Sequence, residues 1–355
     1  MTTAAPIDTS ALTAPASRAE VAAFTKQLRA QGVVGRPWMA IGLGVIVAAA
    51  ASIMAAAAIV GTVASRASGA LLLPLIAVAL AVGVGGLGTV LTMRRRAERR
   101  YRLHRFADAN GMQWHPWVSD PALPGMIFGH GTERASRDVV RTRNPRPTEY
   151  ANYRYTTGSG KSKQTHEWGY VAMRLDAPLP HIVLDATGNN GLFGASNLPM
   201  TFRRDQRLSL EGDFDEHFAL YCPAGYERDA LYLFTPDVMA RFVDNAAALD
   251  VEIVDDYLFL YARRELSTLD PATWRWITST TAAIDDKLAQ WARWRDGHLA
   301  PPDAAMDATA LTPPPVGVAR PGRRLRSGLS WATIAAIVIG GGWLALSIWL
   351  TAIGR

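Results

Sequence analysis

Three groups of residues have types and spacings that could do chemistry. In Gly212-Asp213-Phe214-Asp215-Glu216-His217, a strand would put Asp213, Asp215 and His217 on one face, because side chains alternate with period two. Oxygen and nitrogen ligands of that kind suit a divalent metal. The same residues read equally as a solvated turn between Leu210 and Phe218, no second ligand group reinforces them, and no metal site is assigned. Gly158-Ser159-Gly160-Lys161-Ser162 has the ending of a phosphate-binding loop. That motif requires a glycine five positions before Gly160, where Tyr155 stands, and a helix after it, where turn residues indicate a hairpin. A polar turn is the better reading. His166, His181 and Asp185 fall near the ends of predicted strands, where catalytic side chains often sit. With no Gly-x-Ser-x-Gly and no His-Glu-x-x-His in the chain, they read as isolated polar residues. No catalytic residue and no cofactor is expected. A pocket joining several of His130, His166, His181, Asp185 and His217 would instead point to a hydrolase-like enzyme.

Charge carries more information than any motif. The formal net charge of +6 is unevenly placed. Arg94, Arg95, Arg96, Arg99, Arg100, Arg102 and Arg105 face only Glu98 within their segment, whereas Glu211 to Asp256 holds twelve acidic residues against Arg228 and Arg241. The arginines are candidates for anionic lipid headgroups of an inner leaflet, each contributing about 1 kcal/mol near such a surface. Fixing membrane topology is an equally weighted role for them. The acidic half would face the cytosol or a basic protein partner, and nucleic acid is not an expected partner. The single cysteine, Cys222, excludes an internal disulfide framework and reads as a small buried hydrophobe.

The elements that would position these residues begin with three stretches free of ionisable side chains: Trp38 to Ala64, Gly69 to Met93 and Leu329 to Ile353. Each exceeds the ~20 apolar residues that a spanning helix needs, and arginine-rich flanks would hold residues 94 to 328 inside. The expected fold class is therefore a membrane protein, with three transmembrane α-helices and a cytosolic α+β domain built on a mostly antiparallel sheet. The expected localisation is the cell membrane, multi-pass, with the amino terminus and main domain cytoplasmic and the carboxyl terminus outside. Glycine and alanine crowd the spans, so they are expected to pack on each other or in a homo-oligomer. With no charged residue inside them, a transporter or channel subunit is the least favoured reading.

Composition divides the chain into a tail without the means to build a core (1–30), a transmembrane hairpin (31–93, spans 38–64 and 69–93), a basic juxtamembrane helix (94–110) and an α+β domain (111–268). An amphipathic helix (269–296), a proline-rich linker (297–327) and a third span (328–355) complete it. Within the domain, strands are expected over Met126 to His130, Arg137 to Arg143, Tyr150 to Thr156, Glu167 to Leu175, His181 to Leu184, Leu208 to Leu210, Phe218 to Tyr221, Tyr232 to Phe234, Val251 to Val254 and Tyr257 to Tyr261. A helix capped by Thr235 covers Pro236 to Leu249. Asp270-Pro271 opens another, whose Ile277, Thr281, Ile284, Leu288 and Trp291 form one stripe.

Phe106-Ala-Asp-Ala-Asn-Gly111, Pro124-Gly-Met-Ile-Phe-Gly129, Pro180-His-Ile-Val-Leu-Asp185, Leu210-Glu-Gly-Asp-Phe-Asp215 and Leu233-Phe-Thr-Pro-Asp-Val-Met239 resemble a bacterial multi-pass membrane-protein family of unknown function. The resemblance implies an N-terminal transmembrane hairpin followed by a soluble α+β region, and carries no activity, ligand or catalytic residue. The expected role is a membrane-anchored cytosolic interaction or scaffold module that recruits a protein partner or senses anionic lipid.

Overall fold

The computed structural model describes residues 7–34, 72–144, 146–190, 196–210, 213–227, 230–231, 234–246, 248–299 and Leu325. Two compact units separate: residues 8–110, and a second made chiefly of 111–355.

Among the described residues no helix is long and apolar enough to cross a membrane. This overturns the expected three-span fold class and the multi-pass cell-membrane localisation. The described chain is instead an α+β structure with an antiparallel sheet. The first and third apolar stretches, 38–64 and 329–353, lie outside the described residues. In the second, the helix Leu72–Ala109 runs without a break through all seven arginines. The basic run continues the second apolar stretch as one helix, as its sequence indicates, and stops at the Asn110-Gly111 pair.

In the first unit, residues read from composition as a tail carry two helices, α1 (Ser10–Thr13) and α2 (Arg18–Ala30). Ser17 and Glu20 cap α2 reciprocally, each side chain accepting the other's backbone N–H. Leu12 and Leu28 are buried, as are Leu103, Phe106 and Ala107 of α3 (Leu72–Ala109). Phe24 stacks on His104 with ring centroids 4.7 Å apart. Few apolar side chains are needed, because α3 supplies the complementary face. Gly111, at φ +65°, ends the helix in the left-handed conformation that glycine adopts without penalty.

The arginine candidates divide by surroundings. Arg94, Arg95 and Arg96 are exposed. Arg102 is half-buried, bridged to Glu98 at 2.7 Å and donating to the Leu12 carbonyl at 3.3 Å. Arg105 donates to the Tyr101 hydroxyl. Arg102→Ala should therefore lower stability by about 1 kcal/mol, whereas alanine at Arg94, Arg95 or Arg96 should stay within about 0.5 kcal/mol. Denaturant melts of the four variants check this, and equal effects at all four positions would contradict it.

The second unit is a seven-stranded antiparallel sheet in the order β1 (Gln113–Ser119), β2 (Thr132–Thr142), β3 (Thr148–Thr157), β4 (Gln164–Ala186), β6 (Phe218–Tyr221) and β5 (Arg207–Leu208), with β7 (Asp250–Ala262) pairing the other side of β4. Strand β4 is the spine. Its first half pairs β3, its last residues pair β6, and β7 follows it along the opposite edge. Pro178 and Pro180, which divide β4 into two predicted strands, fall in the gap between its β3 and β6 partners, where the ladder on that side needs no N–H. Likewise β7 is one strand rather than two, with Asp255 at φ +52° beside a register shift. Strand β1, unforeseen because it contains Pro116, lies on the sheet edge, where proline is tolerated. Met126–Gly129, expected as a strand, is a 3-10 turn.

Between β6 and β7 lies α5 (Pro236–Ala246), and α6 (Pro271–Leu299) follows β7. Asp270 caps α6 by accepting from Ala272 and Thr273 N–H, both at 3.0 Å. Trp274, Ile277, Thr281 and Ile284 of α6 are buried, and Thr281 meets the Tyr150 hydroxyl of β3 at 2.9 Å. The opposite sheet face is aromatic. Tyr153, Tyr155, Trp168, Tyr170, Phe259 and Tyr261 share one core with Met126, Ile127 and Phe128 of the turn and with Leu325.

Candidate functional site

Alternation along β7 places Asp250 and Glu252 on one face of the sheet. The register pairs Val183 with Glu252 and Leu184 with Val251, so Asp185 stands beside Asp250. Three carboxylates thus line a short stretch of two strands, and all are buried: Asp185 5 %, Asp250 0 % and Glu252 1 % exposed. Buried carboxylates need donors, and these three are not equally supplied.

Glu252 is saturated. One oxygen accepts from Met126 N–H at 2.7 Å and from the Tyr261 hydroxyl at 2.6 Å, and the other meets His181 Nε2 at 2.9 Å. The tautomer of His181 follows from its second nitrogen. Nδ1 accepts the backbone N–H of Leu325 at 3.1 Å, so Nε2 carries the proton and donates it to Glu252. Burial, with the Glu252 charge beside it, keeps the Tyr261 hydroxyl far above its usual titration range and hence a donor. Gly125 is required by close approach, since any Cβ there would collide with the Tyr261 hydroxyl. Both nitrogens of His181 are engaged, so neither has a free position from which to move a substrate proton. The network is built to hold a backbone N–H, and it holds that of Leu325, whose side chain is 5 % exposed in the aromatic core.

The turn that carries Met126 also lines a groove of about 490 Å³, together with Leu123, Phe128, His130 and Met200. An Asp120–Arg134 ion pair at 2.7 Å closes its rim.

Asp185 and Asp250 are undersupplied. Asp250 Oδ1 accepts Ala186 N–H at 2.9 Å, but its Oδ2 has no hydrogen-bond partner, nor has Asp185 Oδ1. Burial raises both carboxyls, Asp250 up to about 7, and the neighbouring charge of Asp185 adds to the rise. Asn189 and Asn197 lie near enough to oppose the rise of Asp250, yet Asn189 Nδ2 makes no sound hydrogen bond.

The other candidates from the sequence are dispersed. His166 stacks on Tyr155 at 4.8 Å and meets the Thr157 hydroxyl, while His130 lines the groove. Asp215 and His217 lie in a helical turn, α4 (Phe214–His217), where Asp215 accepts from Ser209 and Leu210. That conformation breaks the strand alternation on which the metal reading of Asp213, Asp215 and His217 depended. Among the described residues, no three His, Cys, Asp or Glu side chains gather as a metal site. The Cys222 thiol is buried, which pushes it up to about 11, far from a reactive thiolate. Only His181 and Asp185 of the early candidates fall in the buried polar row. Its other members, Asp250, Glu252 and Tyr261, went unnoticed, although a carboxylate inside Val251-Glu252-Ile253-Val254 is a legible sign of a buried polar group.

No protein-family model and no curated protein matches the chain. Among solved structures, the crystal structure of the mycobacterial trehalose monomycolate transport factor A, TtfA, matches 52 % of this chain and 92 % of its own at 9 % identity and a TM-score of 0.37, a likeness too slight to carry an argument.

Proposed function

We propose that the sheet domain is a non-catalytic interaction module that recognises a leucine-bearing basic segment, its own Arg323-Arg324-Leu325-Arg326 in the first place. The observation that carries this reading is the capture of Leu325: its N–H on His181, its side chain in the aromatic core. An apolar anchor combined with one directed backbone hydrogen bond is a general mode of peptide recognition. The residues flanking Leu325 in sequence are basic, opposite in sign to the acidic stretch from Glu211 to Asp256. A partner protein presenting the same chemistry would compete with the internal segment. The hydrolase-like alternative loses support, since His181 is engaged by Glu252 and Leu325, His166 meets Thr157, and His217 lies in the α4 turn.

The test uses full-length chain and a fluorescent peptide of residues 319–330. Leu325→Asp should vacate the site, so that the peptide binds this variant at least about tenfold more tightly than wild type, which competes with its own segment. Adding His181→Ala to Leu325→Asp should abolish the gain, with circular dichroism confirming the fold. Equal binding to wild type and Leu325→Asp would refute the module.

A further inference from the structure

The capture of Leu325 turns on a single lone pair, and that lone pair can take a proton. His181 is 7 % exposed, its Nε2–H donates to Glu252 at 2.9 Å, and its Nδ1 accepts the Leu325 N–H at 3.1 Å. A second proton on this ring has only Nδ1 to go to. With Leu325 in place, that proton and the Leu325 N–H are two donors aimed at each other in a buried space, so the bound segment and the imidazolium exclude each other. With Leu325 gone the preference reverses. Nδ1 is then released from the Leu325 N–H, and the Glu252 carboxylate beside Nε2 favours the positive ring. Histidine is the side chain whose charge ordinarily changes between pH 5 and 8.

Other titratable groups share this face of the sheet. On β7, Glu252 keeps its three donors, and the Tyr261 hydroxyl stays protonated far above its usual range. Asp250 of β7 and Asp185 of β4 lie further along the same row, and Tyr221 of β6 stands opposite Val183. Residues Met126–Gly129 of the turn bring no titratable side chain. Burial raises both aspartates, Asp250 up to about 7, so their titration has to be separated from that of His181.

We propose that recognition of the leucine segment is proton-coupled through His181: capture of the leucine N–H expels one proton from the ring to solvent, so the segment is held at neutral pH and released in acid. The inference rests on the recognition reading above and adds its regulation. One proton displaced per segment bound sets a limiting slope of tenfold in affinity per pH unit on the acid side.

The test is calorimetric titration of full-length Leu325→Asn, which vacates the site without adding a titratable group, with the peptide of residues 319–330 blocked at both termini. Between pH 7.5 and 5.5 the affinity should fall at least about fivefold, with circular dichroism confirming the fold at both values. Near pH 6, titrations in two buffers of different ionisation heat should count most of one proton released per peptide bound. The acid weakening should persist when Asp185→Asn or Asp250→Asn is added. Binding at pH 7.5 with no proton released, or with affinity unchanged in acid, would overturn the coupling and leave the interaction module standing. Loss of the acid response in either aspartate variant would assign the proton elsewhere and overturn the coupling too. No binding at pH 7.5 would sink the module and the coupling together.

Discussion

Glu252→Ala is expected to lower the free energy of unfolding by about 3–5 kcal/mol, the range for removing one partner of a buried charged network. The carboxylate is 1 % exposed and receives three donors from three parts of the chain: the Met126 turn, β4 through His181, and Tyr261 of β7 itself. Alanine leaves all three without an acceptor in a space that water does not reach, and each orphaned donor costs about 1–3 kcal/mol. Leu325 would be released as well, since His181 loses the contact that fixes its ring and tautomer. Two measurements check this: urea unfolding for stability, and limited proteolysis for release of the segment around Leu325. A change below about 1 kcal/mol would show that the network carries little of the fold. Glu252→Gln should fall between wild type and alanine, because its amide offers one acceptor and an unwanted donor to the same three groups.

The second large effect is a pH dependence traceable to Asp250. Burial raises its carboxyl from 3.8 to about 7, helped by the charge of Asp185 and opposed by the Ala186 N–H. The folded chain therefore binds this proton more tightly than the unfolded chain. Its stabilising contribution is complete below about pH 4, declines as the pH rises toward 7, and is gone above that value. Ionising this carboxyl costs on the order of 4 kcal/mol more in the fold than in the unfolded chain. Wild type should thus lose stability between pH 4 and 7 relative to Asp250→Asn, whose amide cannot ionise and still accepts from Ala186. The two proteins should coincide near pH 4 and diverge at pH 8, with the asparagine variant the more stable. Parallel curves across that range would mean that Asp250 titrates normally.

Local elements were legible where a residue acts through its own backbone. Asp270-Pro271 marks a helix start because the carboxylate accepts the first free N–H groups and proline needs none. Gly158 and Gly160, both at positive φ, mark the hairpin joining β3 to β4. Met126–Gly129 misled as a strand because apolar content alone does not separate a buried strand from a buried turn.

The chain's own residues determined the hairpin turn between β3 and β4, the ends of α3 and α6, the uneven charge, and the buried positions Ile277, Thr281 and Ile284 by which α6 packs. Tertiary structure decided the rest. It fused two proline-interrupted runs into β4, and brought Glu252 to His181 and Asp185 to Asp250 across β4 and β7. The physical reason is that hydrogen bonds between strands and the burial of carboxylates depend on partners far away in sequence. Spacing along the chain cannot say which ones meet.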